Sequence, residues 1–121
     1  MNTSLLTKIA ALLGAMAVGL GAFGAHGLKT LLENNGTAQI WEKAVFYHFI
    51  HTVMLFVLAE NKLRRPVAWW SFLAGIILFS GSLYTLAISN VRWWGAVTPV
   101  GGVALVVGWI SLLFPPKDST R

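Results

Sequence analysis

Four runs of predominantly apolar residues, about 5–25, 41–59, 67–88 and 96–114, take up most of the chain. A stretch of about 20 such residues is long enough to cross the ~30 Å hydrocarbon core of a bilayer as an α-helix. The runs therefore predict an all-α integral membrane protein, a four-helix transmembrane bundle. Four spans leave no room for a separate soluble domain, so residues 1–121 read as a single transmembrane domain.

Composition agrees. The chain is 56% hydrophobic and 11% charged, with a mean hydropathy of +0.70, whereas soluble domains carry about 25% charged residues. A net charge of +5 would suggest nucleic acid in a soluble protein, but the nine Lys and Arg lie almost entirely between or beside the apolar runs. There they act on topology and lipid headgroups, and no nucleic-acid partner is expected. The absence of cysteine excludes disulfides, thiolate metal sites and cysteine nucleophiles.

Lys8 interrupts the first run near its start, where its long stem can reach the headgroups. The run resembles a secretory signal there, but it is long for one and equally apolar segments follow, so it is read as a retained span. Between the first two spans, residues 27–35 place Leu28, Leu31 and Leu32 against Lys29, Glu33 and Asn34. That pattern predicts a short interfacial amphipathic helix. Asn35-Gly36 gives a turn signal, and Thr37 is positioned to cap the next helix. Trp41, Trp69-Trp70 and Trp93-Trp94 read as interfacial residues, Pro66 as a helix start, and Pro115-Pro116 as the stop of the fourth span.

With an even number of spans, the termini and the loop between spans two and three share a side. That side holds Lys8, Lys62, Arg64, Arg65, Lys117 and Arg121, against Lys29, Lys43 and Arg92 on the other. The excess predicts cytoplasmic termini in a bacterial inner membrane.

Lipid offers helices no hydrophobic drive to associate, so small residues mark their contacts. Ala17, Gly21 and Ala25 recur every four residues in span one, with Gly14 beside them. Gly75 and Gly81 in span three, and Gly101, Gly102 and Gly108 in span four, add further points of close approach. Beyond the lipid bilayer itself, a homo-oligomer or a membrane-protein partner is the expected association.

Ionisable side chains inside a membrane are costly and usually face other helices or a cavity. His48 and His51 are three residues apart, on one face of span two, about 10 and 15 Å from Trp41 at roughly 1.5 Å per residue. Ser80, Ser82, Tyr84 and Thr85 lie in the matching half of span three, His26 ends span one there, and Thr98 begins span four there. These groups define a candidate polar pocket opening toward the periplasmic side: His26, His48, His51, Ser80, Ser82, Tyr84 and Thr98. Tyr47 and His51, one turn apart, can pair.

Three roles fit this set. The histidines, neutral, can hydrogen-bond to hydroxyls on a facing helix, contributing about 1 kcal/mol or less each. They can line a path for a proton, ion or small solute. They can also ligate a metal or haem through His26, His48 and His51, but two imidazoles do not close a site and no carboxylate lies at their depth. No metal or other cofactor is expected. No nucleophile with its base and no phosphate loop occurs, so no enzyme activity is expected.

The segment Phe23-Gly24-Ala25-His26-Gly27-Leu28, then Trp41 with Ala44, Tyr47-His48 and His51, then Ser80-Gly81-Ser82-Leu83-Tyr84, and finally Thr98-Pro99 with Gly101-Gly102 and Gly108-Trp109, resembles domain-of-unknown-function family 423. The resemblance covers nearly the whole chain. It implies a small four-span bacterial inner-membrane protein and brings no catalytic or binding residues with it. The expected function is that of a non-enzymatic structural or accessory membrane protein. The alternative is a small transporter or channel-like protein.

Overall fold

The computed structural model describes residues 3–61 and 65–116. Within them the chain forms α1 (Thr3–Ala25), α2 (Lys29–Asn35), α3 (Ala38–Glu60), α4 (Pro66–Gly75) and α5 (Gly81–Ser89), then α6 (Thr98–Ser111). A π-helical turn, Ile76–Ser80, joins α4 to α5 without a break, and a 3-10 turn, Arg92–Ala96, leads into α6. The result is four helical stretches long and apolar enough to cross a membrane, Thr3–Ala25, Ala38–Glu60, Pro66–Ser89 and Arg92–Ser111. The described residues contain no strand. Lys62, Arg64, Lys117 and Arg121, which weigh in the charge count, lie outside the described residues.

Local chemistry sets the ends of these helices. Gly36 closes α2 in the left-handed conformation (φ 66°), its N–H donating to the Glu33 carbonyl at 3.1 Å while Thr37 N–H reaches Leu32 at 2.9 Å. Thr37 does not cap α3 as expected. Its hydroxyl is buried and donates instead to the Ala87 carbonyl of α5 at 2.8 Å. Pro66 sits in the first turn of α4, where its missing N–H costs nothing. The last span is displaced from the expected 96–114. It is entered through the 3-10 turn at Arg92, and α6 ends at Ser111. Phe114 precedes Pro115, and a residue before proline is pushed away from helical backbone.

The spans alternate in direction, and hydrogen bonds fasten both ends. Where α1 begins, Thr7 Oγ1 donates to Glu60 Oε2 at 2.7 Å and Arg65 to the Phe114 carbonyl at 2.7 Å. At the opposite end, Asn35 Nδ2 donates to the Ala87 and Ile88 carbonyls at 3.0 and 3.2 Å, tying α2 across α5. In α2, Leu32 is buried while Lys29, Glu33 and Asn34 are exposed, as an interfacial helix requires.

α3 is central, packed against α1 on one side and against α4, the π turn and α5 on the other. α6 packs along α4 and the π turn. Leu6, Ala10, Leu55, Leu58, Ala59, Ala68, Trp69, Phe72, Ile76 and Leu105 form the main core, and Leu32, Trp41 and Ala87 a smaller one beneath α2. Leu12, Val18 and Phe23 of α1 and Val100, Val103 and Val106 of α6 remain exposed, as surfaces suited to lipid.

The small residues pack in a different register from the strict four-residue repeat. α1 lies on α3 through Ala10, Gly14, Ala17, Gly21 and Gly24. Ala10 and Ala17 are buried, Gly21 faces Val45, and Gly24 faces the Trp41 indole so closely that a Cβ would overlap the ring. Steps of four and three keep residues on one side of a 3.6-residue helix, and a run of fours drifts off it. Ala25 is accordingly exposed. On α6, a Cβ at Gly101 would stand 2.7 Å from the Phe79 Cα, and one at Gly108 2.6 Å from the Phe72 ring. Gly102 has only ordinary contact with Phe79, at 3.7 Å, and Gly81 faces nothing within 4 Å. Ala25 and Gly81 are therefore not close-approach points. Gly75 is one, with the Leu105 backbone nitrogen 3.1 Å from a Cβ there.

Candidate functional site

The buried polar side chains in the membrane-spanning segments are His48, His51, Thr52, Ser80 and Ser82, three of them on α3. The π turn helps direct the others. It holds one more residue than an α-turn, and each residue advances about 100°, so the side chains beyond it are rotated relative to an uninterrupted helix. Ser80 Oγ then donates to the Ala44 carbonyl of α3 at 2.7 Å. Ser82 Oγ meets Thr98 Oγ1 of α6 at 2.6 Å and also donates to Phe79 at 2.9 Å. Tyr84 Oη meets Nδ1 of His48 at 2.8 Å. Thr85 bonds back to its own helix at Gly81.

The two histidines sit on adjacent parts of the α3 surface but face different neighbours. His48 pairs with Tyr84 of α5, and the Leu13 carbonyl of α1 faces its ring. His51 turns to α6. Its Nδ1 lies 2.8 Å from the Tyr47 carbonyl, and Trp109 Nε1 donates to its Nε2 at 3.0 Å. A carbonyl only accepts and an indole N–H only donates, so His51 is the neutral tautomer protonated at Nδ1, with both nitrogens engaged. Tyr47 also stacks on His51, with centroids 6.1 Å apart and planes 11° apart. Phe72 and Trp109 flank the imidazole at 5.4 and 5.9 Å.

Tryptophan has a larger part than the interfacial reading gave it. Trp41 and Trp69 are buried core residues. Trp41 Nε1 donates to the Leu20 carbonyl of α1 at 2.9 Å, and Trp69 Nε1 to the Leu55 carbonyl of α3 at 3.2 Å. With Trp109 on His51, three indoles join α1, α4 and α6 to α3. Gly24 explains how one of them reaches its acceptor: it lies one turn beyond Leu20, and its missing Cβ leaves that carbonyl open to the ring.

The expected pocket is thus divided among separate interhelical contacts, His48–Tyr84, Ser80–Ala44, Ser82–Thr98 and His51–Trp109. His26 joins none of them. It lies exposed in the turn after α1, its N–H on the Phe23 carbonyl. Among the described residues no three His, Asp or Glu side chains come close enough to hold a metal ion. Sequence reasoning missed Trp41, Trp69 and Trp109 as fastenings, Gly24 as the opening for Trp41, and Thr52, one turn from His48 on its buried face. For Trp109 the signal was an indole in the middle of an apolar run.

Two grooves open on the lipid-facing side. One, of about 490 Å³, runs between α1 and α3 beneath α2, lined by Ala17, Gly21, Gly24, Trp41, Val45 and Phe49 among others. The other, of about 600 Å³, runs between α3 and α6 with His51 and Trp109 in its wall.

Four apolar spans, with most of their buried polar side chains bonded to a neighbouring helix, define a multi-pass integral membrane protein. The family model described as "Protein of unknown function (DUF423)" matches residues 20–102, and the chain belongs to that family. Among its relatives, the UPF0382 membrane protein YwdK of Bacillus subtilis is 44% identical over 116 residues, covering 88% of this chain and 94% of the relative. The UPF0382 inner membrane protein YgdD of Escherichia coli is 42% identical over 120 residues, covering 93% and 89%. A UPF0382 membrane protein of Haemophilus influenzae is 42% identical over 121 residues, covering 94% of each. No solved structure matches.

Proposed function

We propose that this membrane protein is non-enzymatic and acts as an accessory component of a larger membrane assembly. The carrying observation is that His51, a polar side chain near the middle of α3, has both ring nitrogens engaged by neighbouring residues. A group that relays solute or protons needs a free face, whereas a group that fixes the position of helices does not. Around it, the hydroxyls of Ser80, Ser82, Tyr84 and Thr98 are likewise used between helices. What α1 and α6 leave outward is apolar, and their grooves suit a lipid or a partner helix.

The charge count supports placement in the bacterial cytoplasmic membrane with both termini cytoplasmic, and the E. coli relative's name, an inner membrane protein, agrees with that membrane. The alternative, a small transporter moving a proton, ion or solute past His48 and His51, has one observation in its favour: Nε2 of His48 is buried without a partner. Against it, Leu55 and the cluster around Leu6, Ala10, Leu58 and Ala59 fill the α1–α3 interface on the side of the termini.

Purification in mild detergent under native expression tests the accessory reading. A partner held in fixed stoichiometry, and released when the α1 or α6 surface is altered, is the expected result. Protein that purifies alone and moves a solute in vesicles contradicts it.

A further inference from the structure

His48 Nε2 and Thr52 Oγ1 are the buried side-chain polar atoms without a hydrogen-bond partner among the described residues. They belong to side chains only 2% and 3% exposed, one helical turn apart on α3. They share the interface with α1, where the Leu13 carbonyl faces the His48 ring and a Cβ on Gly14 would stand 3.6 Å from Thr52 Cγ2. Unpaired polar atoms are expensive inside a membrane, where neither lipid nor bulk water relieves them. Two of them side by side, opposite a backbone carbonyl and a glycine, form a site with its own chemistry.

We propose that one water molecule is bound between α1 and α3, hydrogen-bonded to His48 Nε2 and Thr52 Oγ1, with the Leu13 carbonyl as its third neighbour. Residues at i and i+4 lie on one side of a helix, so both atoms serve the same interface with α1. Two or three polar partners are also what an internal water needs. Along α1 and α3 the neighbouring residues are buried, Leu55, Ala10 and Leu6 toward the termini and Ala44, Ala17 and Trp41 toward α2. The water therefore extends the Tyr84–His48 pair by one member and ends there, bridging α1 to α3 without opening a path across the membrane.

The test is nuclear magnetic resonance on the full-length protein in bicelles, reading direct dipolar cross-peaks from water to the His48 ring protons and the Thr52 methyl. The parent protein should show them at both residues, and Thr52→Val should lose them. Valine keeps the shape of threonine but cannot hold the bridge, so its folded-to-unfolded ratio should fall roughly fivefold. A parent protein without water contact at His48 overturns the proposal. So does a Thr52→Val protein as stable as the parent or more so, because removing an orphaned hydroxyl is then harmless. If Thr52→Val does not fold, the parent spectrum decides alone.

Discussion

Trp109 of α6 donates its indole N–H to Nε2 of His51 on α3 at 3.0 Å, and this bond spans the groove between two helices whose remaining contact there is apolar. Its value is measurable. Trp109→Phe keeps an aromatic ring against Phe72 but removes the donor and part of the ring system, so it should destabilise the protein by about 1 kcal/mol or more. A double-mutant cycle with His51→Phe should return a coupling of about 0.6 kcal/mol and no more than about 1.7 kcal/mol, the mean and maximum measured for interhelical hydrogen bonds in a membrane protein. Reversible unfolding in mixed micelles provides the measurement.

The Tyr84 hydroxyl should matter more than that of Ser82. Tyr84→Phe takes the partner from His48 Nδ1 and leaves a buried nitrogen unpaired, at about 1–3 kcal/mol. When Ser82 becomes alanine, the Thr98 hydroxyl still has the Trp94 carbonyl at 3.5 Å. Ser82→Ala should therefore cost less than Tyr84→Phe in the same unfolding assay.

Glycines that look alike in sequence should separate sharply. At Gly101 a Cβ meets the Phe79 backbone, which cannot swing away as a side chain would. Gly101→Ala should push α6 off the π turn and cost roughly 1–3 kcal/mol or more, as overpacking does. Gly19 faces nothing within 4 Å, and Gly19→Ala should be neutral or stabilising by up to about 1 kcal/mol through helix propensity. Thermal unfolding monitored by circular dichroism would order the two.

Gly24 and Trp41 should behave as one unit. Gly24→Ala displaces the indole from the Leu20 carbonyl, so it and Trp41→Phe remove the same 2.9 Å bond. Each should loosen α1 from α3, and the double variant should cost less than the sum of the two. Cysteine cross-linking between the helices would report the loosening.

The spans were legible because the bilayer imposes a length that apolar runs must meet, and the amphipathic segment ending at Asn35 was legible for the same kind of reason. His48 and the hydroxyl of Tyr84 were legible as polar groups at depth. Their pairing was not, because the π turn at Ile76–Ser80 leaves no hydropathy signal and yet decides where Ser80, Ser82 and Tyr84 point. The small-residue face of α1 is legible in the sequence, but its four-residue repeat runs on to Ala25, which the helix itself leaves off that face. Residue type alone places Trp41 and Trp69 at the interface, and only the tertiary structure supplies the carbonyls that draw their indoles inward.

Orientation rests on charge and has its own check. The charge excess predicts cytoplasmic termini, so an alkaline phosphatase fused after Arg121 should be inactive and a fluorescent protein at the same place bright. An active phosphatase would reverse the assignment.

Reconstitution tests the central claim most directly, that the polar groups of the bundle hold helices together and do not conduct. Purified protein alone in sealed vesicles, with an internal pH-sensitive dye and an imposed proton gradient, should dissipate the gradient no faster than empty vesicles do, at any pH from 5 to about 8, the interval in which histidine can titrate. A leak that scales with the amount of protein and disappears in His48→Ala or His51→Ala would contradict the account.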